Sequence, residues 1–267
     1  MPTPLMRFAL GLARAAAEEI VPRFASTNST SYKRDGSLVT RADVLAERRM
    51  RELIRVEYPS HGIVGEELDS HTGSEQKRWL LDPIDGTAAF AAGVPTFGTL
   101  IALLDGDEPV LGVVHHPITH ETLYAEAGSG CWHIVGNGPA SRTSVAAPPN
   151  GLSGAQISLS GLEYSEIRPE GSERVICRLG GLLRRAGQLH LFGDCIQHGL
   201  VARGRIHAAI DTKMYPWDSA AFVVCTREAG GVVSSLDGNE EHVVFAGSLI
   251  TCSDRRLLEE LVEELRP

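Results

Sequence analysis

Acidic residues stand at four points of the sequence where an apolar run gives way to a turn or a helix. These points are Asp43, Glu66 with Glu67, Asp82 with Asp85, and Asp218. Taken singly, each has an ordinary explanation, because an acidic residue at a helix start often caps the helix or meets its dipole. Taken together, they supply the hard oxygen ligands that magnesium prefers.

The segment Asp82–Thr87 (Asp-Pro-Ile-Asp-Gly-Thr) is the most specific of these signals. Its two aspartates are held stiffly, because proline fixes its own φ and restricts the residue before it. Such a pair can bridge two cations, and the carbonyl of Ile84 offers another oxygen. Gly86 and Thr87 begin a short predicted helix whose N–H groups would face an anion, and glycine lets a phosphate come close. Carboxylates for metals beside amides for phosphate are what two-metal phosphoryl transfer requires.

The elements that must position these residues are mixed. Periodicity and turn residues predict helices at Leu5–Val21, Thr40–Glu57, Ser172–Ala186, Cys195–Ala202, Trp217–Ala229 and Asp254–Leu265, the last with Ser253 as N-cap. They predict strands at Gly62–Val64, Trp79–Leu81, Phe97–Leu104, Pro109–His115, Glu121–Ala125, Ala155–Ser160, Ala208–Asp211 and Val232–Ser235. The segment Gly136–Gly154 is rich in Pro, Gly, Ser and Ala and is the best candidate for a connection. We predict an N-terminal lobe over residues 1–145 with the metal motifs, and a C-terminal lobe over residues 146–267 with Asp218 and the substrate contacts.

Composition narrows the class of protein. The 267 residues carry a formal net charge of −9, which disfavours nucleic acid as a partner because such binding relies on a basic face. The five cysteines are widely spaced with no CxxC pair, which predicts free thiols in a reducing compartment. No apolar run approaches the roughly 20 residues of a membrane span, and Met1–Ala17 lacks a cleavable signal-peptide layout. We therefore expect a cytoplasmic protein without a membrane partner.

Three motifs, in this order, closely resemble those of the inositol monophosphatase family. They are Gly65-Glu66-Glu67, Trp79–Thr87 and Trp217–Ala221, supported by Leu38–Asp43 and Glu228–Gly231. The resemblance spans about residues 5–265. It implies an α+β fold, the layered αβαβα sandwich, and a phosphatase that uses two to three Mg²⁺ ions. By analogy it also implies a homodimer, with the strands between Phe97 and Ala125 offering apolar interface.

Carried over residue by residue, the resemblance also implies roles. Metal ligands would be Glu66, Asp82, the Ile84 carbonyl, Asp85 and Asp218. Asp43 and Thr87 would orient the nucleophilic water, with Glu66 as a further catalytic residue. The amides of Gly86 and Thr87 would hold the phosphate of a small-molecule phosphate monoester.

The substrate is less well defined by the sequence. Inositol monophosphates, histidinol phosphate, adenosine 3′,5′-bisphosphate and fructose bisphosphate compete, and Ala88-Ala89 disfavours the adenosine bisphosphate group. Gly193-Asp194 resembles the histidinol-phosphate phosphatases of the family, which serve histidine biosynthesis. A carboxylate at Asp194 would pair with the ammonium of histidinol; alternatively, Asp194 caps the following helix. Asp211 is a further candidate substrate contact, together with Asp85 and Asp218. A non-catalytic partner-binding protein is the remote alternative, disfavoured because the acidic ligand set is complete.

Overall fold

The computed structural model describes residues 2–24, 31–32, 38–161, 177–193 and 195–267. The helices in these ranges are α1 (Pro4–Ile20), α2 (Arg41–Glu57), α3 (Thr87–Ala92), α4 (Gly180–Arg185), α5 (Ile196–Ala202), α6 (Pro216–Glu228) and α7 (Arg255–Leu265). The strands are β1 (Ser31–Tyr32), β2 (Leu38–Val39), β3 (Gly62–Gly65), β4 (Lys77–Asp85), β5 (Gly98–Asp105), β6 (Glu108–His116), β7 (Glu121–Glu126), β8 (Cys131–Val135), β9 (Ser141–Thr143), β10 (Gln156–Ser160), β11 (Gln188–His190), β12 (Ala208–Asp211), β13 (Val232–Ser234) and β14 (Leu249–Cys252).

Two sheets carry most of these strands. The first has the order β3-β4-β5-β6-β7-β8-β9, with β3 parallel to β4 and the later neighbours antiparallel. The second has the order β11-β10-β12-β14-β13, with β10 parallel to both β11 and β12 and the other pairs antiparallel. The short strands β1 and β2 pair separately and antiparallel.

The first sheet buries both of its faces, as the strand period of two requires. Trp79 and Leu81 of β4 pack with the apolar faces of α1 and α2. Leu80 and the neighbouring Leu100 of β5 point the other way, into a core shared with α6. Helices also pack on the second sheet, where Ile157 of β10 lies in a buried cluster with residues of α4 and α7. The layers therefore run α1/α2, seven-stranded sheet, α5/α6, five-stranded sheet, α4/α7, which confirms the α+β fold with its layered αβαβα sandwich.

Helix α6 joins the two halves of the chain. Its residues from Ala220 to Cys225 lie in one buried cluster with apolar residues of the first sheet and with Val233 and Leu249 of the second. The strands of the first sheet come from residues 62–143 and those of the second from residues 156–252. Because α6 packs on both, the division into lobes at residue 145 stays a prediction.

The helix starts follow local chemistry. The hydroxyl of Thr3 accepts the Met6 N–H at the start of α1, and Thr40 closes a capping box at the start of α2. At α7 the prediction of Ser253 as N-cap is wrong, since the Asp254 carboxylate accepts the Leu257 N–H (3.2 Å).

Other boundaries differ from the prediction. Of the expected helix Ser172–Ala186, residues 172–176 lie outside the described ranges, and only Gly180–Arg185 of the remainder is helical. The expected connection contains β9, an edge strand of the first sheet. All five cysteines lie in the described part of the chain and are buried free thiols, as predicted. No helix among the described residues has the length and apolar character needed to cross a membrane.

Candidate active site

Five carboxylates from separate parts of the sequence meet in the structure. Asp82 is buried, with 1% of its surface exposed. The four charges that act most strongly on it belong to Glu66, Asp85, Asp218 and Asp43. We call these five residues the acid cluster. The tertiary structure thus brings together five of the six acidic residues that the sequence singled out. Glu67 is not among the charges that act most strongly on Asp82.

A break in strand pairing gives Asp82 and Asp85 their positions. Asp82 pairs with Leu100 and Asp85 pairs with Gly98, so three steps along β4 face two along β5. Such a bulge re-aims side chains at the end of a strand. The carbonyl of Pro83, inside the bulge, accepts a hydrogen bond from the Thr99 hydroxyl (2.8 Å). Oδ1 of Asp82 accepts the Ile84 N–H (2.9 Å), which fixes the carboxylate against its own backbone.

Asp43 enters the cluster from the first turn of α2. Its Oδ2 accepts hydrogen bonds from the Thr40 N–H (2.9 Å) and hydroxyl, which completes the capping box. Burial raises the pKa of the Asp43 carboxyl, the bonds from Thr40 oppose that rise, and the charge of Glu66 adds to it. Its other oxygen, Oδ1, lies 3.3 Å from the hydroxyl of Thr87. The same hydroxyl lies 3.1 Å from the Ile84 carbonyl oxygen.

Gly86 and Thr87 stand at the start of α3, as the sequence predicted. Gly86 is the N-cap and has a φ of 91°, a left-handed conformation that favours glycine. The N–H groups of a first helical turn have no acceptor within the helix, so they are available to an anion. Both residues are only partly buried.

Asp218 lies in the first turn of α6, in the place that Asp43 holds in α2. Its Oδ2 accepts the Tyr215 N–H (2.8 Å). Burial raises the pKa of Asp218 to about 7; the bond from Tyr215 opposes this, and the charge of Glu66 adds to it. Burial, followed by the charges of the other four carboxylates, raises the pKa of Asp82 well above its ordinary value. The cluster therefore holds protons tightly unless another cation neutralises it.

The oxygen donors of this site suit magnesium, which keeps several waters, better than a metal that needs a closed set of protein ligands. Within the described ranges, no three His, Cys, Asp or Glu side chains surround one point as ready ligands. In each of Asp43, Asp82 and Asp218, one carboxylate oxygen accepts a hydrogen bond from a nearby backbone N–H. Magnesium binds through one or two carboxylates and keeps several waters, whereas zinc prefers nitrogen and sulfur. A cation of this kind would stabilise the ionised form of these crowded carboxylates, whose pKa values are raised.

Candidate substrate contacts border the cluster. Asp211 ends β12, and its charge acts on Asp218. The Lys213 N–H donates to Oδ1 of Asp211 (3.4 Å), and the Lys213 ammonium lies 5.6 Å from the centre of the Tyr215 ring. We call Asp211, Lys213 and Tyr215 the rim. Asp194, the other predicted contact, lies outside the described residues.

Sequence reasoning missed the residues behind these side chains. Glu47, one turn after Asp43, is fully buried and holds the backbone that follows Glu66. Its i,i+4 spacing to Arg51 is a sequence signal that could have revealed it. Gln197 is also fully buried and donates to the Ser160 hydroxyl (2.8 Å), which in turn donates to Oδ2 of Asp211 (2.5 Å). Nothing in the sequence indicates that second network, since its members are 14 to 51 residues apart.

Known proteins resemble this chain over most of its length. The chain is 36% identical over 239 residues to a histidinol-phosphatase of Chlorobaculum parvum, covering 89% of this chain and 88% of that protein. It is 30% identical to an inositol-1-monophosphatase of Caulobacter vibrioides, covering 95% and 98%. Among solved structures, the extragenic suppressor protein suhB of Bartonella henselae superposes with a TM-score of 0.85 at 26% identity, covering 98% of each chain. The family model for the inositol monophosphatase family matches residues 1–267, so this chain belongs to that family of phosphatases.

Proposed function

We propose that this protein is a magnesium-dependent phosphatase that hydrolyses a small phosphate monoester by direct attack of water, with histidinol phosphate as the favoured substrate. The observation that carries the proposal is the acid cluster: five carboxylates, brought together beside the amides of Gly86 and Thr87, act on one another across motifs up to 175 residues apart. Such an arrangement is costly unless it binds cations.

Magnesium would be held by Glu66, Asp82, Asp85, Asp218 and the carbonyl of Ile84, in sites for two to three ions. When bound, it supplies a Lewis acid and lowers the pKa of a water. These four carboxylates and the carbonyl are the hard oxygen donors that this ion selects. Lost repulsion among them on binding would stabilise the folded chain.

The residues of the chain provide orientation and charge stabilisation. The Thr87 hydroxyl contacts both Asp43 and the Ile84 carbonyl, which supports a role for these groups in orienting the attacking water. Asp43, whose pKa is raised by burial, would take the proton of that water through Thr87. The amides of Gly86 and Thr87 would donate to the phosphate and stabilise its developing negative charge. This mechanism needs no protein nucleophile, and a trapped covalent phosphoenzyme would contradict it.

The rim and the relatives together favour histidinol phosphate. Histidinol carries an ammonium group, and Asp211 offers a carboxylate fixed by Ser160 and Gln197 at the border of the acid cluster. Asp194 would add a second carboxylate. The Chlorobaculum parvum relative, named histidinol-phosphatase, is more similar than the Caulobacter vibrioides inositol-1-monophosphatase, at 36% against 30% identity.

Inositol 1-phosphate is the second candidate. The Caulobacter vibrioides relative covers more of this chain, 95% against 89%, and carries that activity in its name. The polar rim would then contact sugar-like hydroxyls, and Asp194 would serve only as a helix cap. The expected homodimer stays a prediction under either substrate.

The two candidates separate in one assay. Phosphate release is measured from histidinol phosphate and from inositol 1-phosphate, each with magnesium and with a chelator. Release that stops with chelator supports the metal chemistry. A preference for histidinol phosphate of about a hundredfold, worth about 2.7 kcal/mol, supports the ammonium-reading carboxylates. A preference for inositol phosphate would overturn that assignment, and equal release with and without metal would overturn the chemistry.

A further inference from the structure

A buried ion pair lies directly behind the Gly65-Glu66-Glu67 turn. Glu47 and Arg51 are one turn apart on α2 and are 0% and 2% exposed. Nε of Arg51 donates to Oε1 of Glu47 (2.7 Å). A buried pair of this kind is retained only with good geometry and with its remaining hydrogen-bonding atoms satisfied. The partners that satisfy it here are all on the turn.

Glu47 accepts hydrogen bonds from two consecutive backbone amides. Its Oε2 accepts the Glu67 N–H (2.8 Å), and its Oε1 accepts the Leu68 N–H (3.2 Å). Charge-assisted bonds of this kind are about twice as strong as neutral ones. Glu47 therefore fixes the chain immediately after Glu66.

Arg51 holds the carbonyl groups of the same stretch. Its two terminal nitrogens donate to the Leu68 and Asp69 carbonyl oxygens, each at 2.9 Å. The planar guanidinium has the fork of donors that this requires, which a lysine ammonium lacks. The pair thus ties the N–H groups of Glu67 and Leu68 and the C=O groups of Leu68 and Asp69 to α2.

The small size of Gly65 makes room for this contact. A Cβ built on Gly65 would lie 2.2 Å from Oε1 of Glu47, a distance that real Cβ atoms do not show. The φ of Gly65 is not in the left-handed region, so it is space and not backbone conformation that requires glycine. On the other side of Glu66, its N–H donates to the Leu81 carbonyl oxygen (3.2 Å), next to Asp82. Glu66 is therefore held between β4 and the ion pair on α2.

We propose that Glu47 and Arg51 form a positioning pair, which sets the backbone of Glu66 and thereby the affinity of the acid cluster for divalent cations. The inference rests on the proposed function only in taking Glu66 to be a cation ligand. Neither residue belongs to the proposed ligand set, and the hydrogen bonds given above run to each other and to the backbone of residues 67–69. Losing a group that orients a metal ligand typically costs ten- to a hundredfold in metal affinity.

The first test measures binding of Mn²⁺ alone, as a paramagnetic stand-in for Mg²⁺, by electron paramagnetic resonance of the unbound ion. Glu47→Gln replaces one acceptor oxygen by an NH₂ group, which faces a backbone N–H that it cannot accept from. We expect Mn²⁺ binding weaker by about tenfold or more. The matched control is Glu121→Gln. This change removes a carboxylate on β7 that is paired with Arg203 and His133. Its Mn²⁺ affinity is expected to stay within about twofold of the unmodified protein.

A purely structural pair would behave differently. If the pair were purely structural, Glu47→Gln would have a lower midpoint of thermal unfolding and an unchanged Mn²⁺ affinity. That result would overturn the inference. A positioning role also predicts that half-saturating Mg²⁺ rises about tenfold in Glu47→Gln while kcat at saturating Mg²⁺ is retained. For Arg51→Lys we expect a Mn²⁺ affinity between those of the unmodified protein and Glu47→Gln, since lysine keeps the positive charge and lacks the fork of donors.

A second variant covers the case in which Glu47→Gln does not fold. Gly65→Ala keeps both charges and forces Glu47 to move, so we expect a similar loss of Mn²⁺ affinity. Its control is Gly11→Ala, because a Cβ on Gly11 meets nothing within 4 Å. Unchanged Mn²⁺ binding in Gly65→Ala would overturn the inference.

Glu66→Gln distinguishes the two levels of argument. If this variant binds Mn²⁺ as well as the unmodified protein, Glu66 is not a ligand and the proposed function fails. If Glu66→Gln binds weakly and Glu47→Gln binds normally, only the positioning inference fails.

Discussion

The acid cluster and the rim adjoin one another, and the most buried members of the first contrast with the most exposed members of the second. Asp43 and Asp82 of the cluster are 0% and 1% exposed, and each is anchored by a backbone N–H. At the rim, Tyr215 is 42% exposed and Lys213 is also at the surface. A buried, hydrogen-bonded carboxylate has one available position, whereas an exposed side chain has many. We infer that the fold fixes the positions of Asp43 and Asp82, whereas Lys213 and Tyr215 can change at little cost. Asp211 lies between these extremes, because it is partly buried and accepts the Ser160 hydroxyl.

Two aspartates of the acid cluster also show that capping a helix and belonging to the cluster are compatible. Asp43 and Asp218 occupy the same position in the first turns of two helices, and each accepts a backbone N–H from the residue before its helix. The ordinary explanation for each aspartate is therefore correct. It also anchors each carboxylate, because one oxygen accepts a backbone N–H while the group faces its neighbours in the cluster.

The largest effect should follow removal of the central charge. Asp82→Asn is expected to lower phosphate release by about a thousandfold or more, since Asp82 is a proposed cation ligand and the other four carboxylates surround it. Thermal unfolding without metal should occur at an unchanged or higher temperature, because one repulsive charge is lost. Asp107→Asn, at an exposed hairpin pair with Arg78, is the control. Normal turnover in folded Asp82→Asn would show that the cluster is not the catalytic centre.

The next effect concerns orientation at the border of the cluster. Thr87→Val removes the hydroxyl that contacts Asp43 and Ile84, and should lower kcat by about a hundredfold with little change in KM. Thr87→Ser keeps the hydroxyl and should retain most of the activity. Equal losses in both variants, measured by steady-state kinetics, would assign Thr87 to packing alone.

Protons should compete with the cation in the cluster. Burial raises the pKa of Asp218 to about 7, so this group is protonated below that pH in the metal-free fold and ionised in the unfolded chain. Without metal, the free energy of unfolding should therefore fall as pH rises from about 4 towards 7. Mg²⁺ must displace that proton, so its apparent affinity should fall about fivefold from pH 7 to pH 6. Calorimetric titration of the metal at both pH values measures this, and a pH-independent affinity would contradict it.

The smallest effect is expected at the rim. Asp211→Asn should raise KM for histidinol phosphate about two- to fivefold and leave kcat nearly unchanged, because a partly exposed ion pair contributes less than about 1 kcal/mol. KM for inositol 1-phosphate, which has no ammonium, should change less. A large loss of kcat would instead make Asp211 part of the catalytic machinery and remove the contrast between the two regions.

The sequence by itself determined the family, the layered fold and the acidic residues. The Asp82–Thr87 segment carries its own stiffness, and the predicted strands at Gly62–Val64 and Ala208–Asp211 agree with the structure because their apolar runs are short and sharply bounded. The sequence was less reliable where a segment depends on distant partners. The strands β11 and β14 are short elements held by pairing in the second sheet, and they were not predicted.

Only the tertiary structure decided how the acidic residues are held. The bulge in β4 arises from pairing with β5 and sets the direction of Asp82. The contact of Glu47 with the turn at Glu67 crosses 20 residues, and the network from Gln197 to Asp211 includes Ser160, 37 residues away. Local patterns report period and turn chemistry, which act over a few residues. Hydrogen bonds between separate layers depend on how those layers pack, and that is where the structure adds what the sequence pattern lacks.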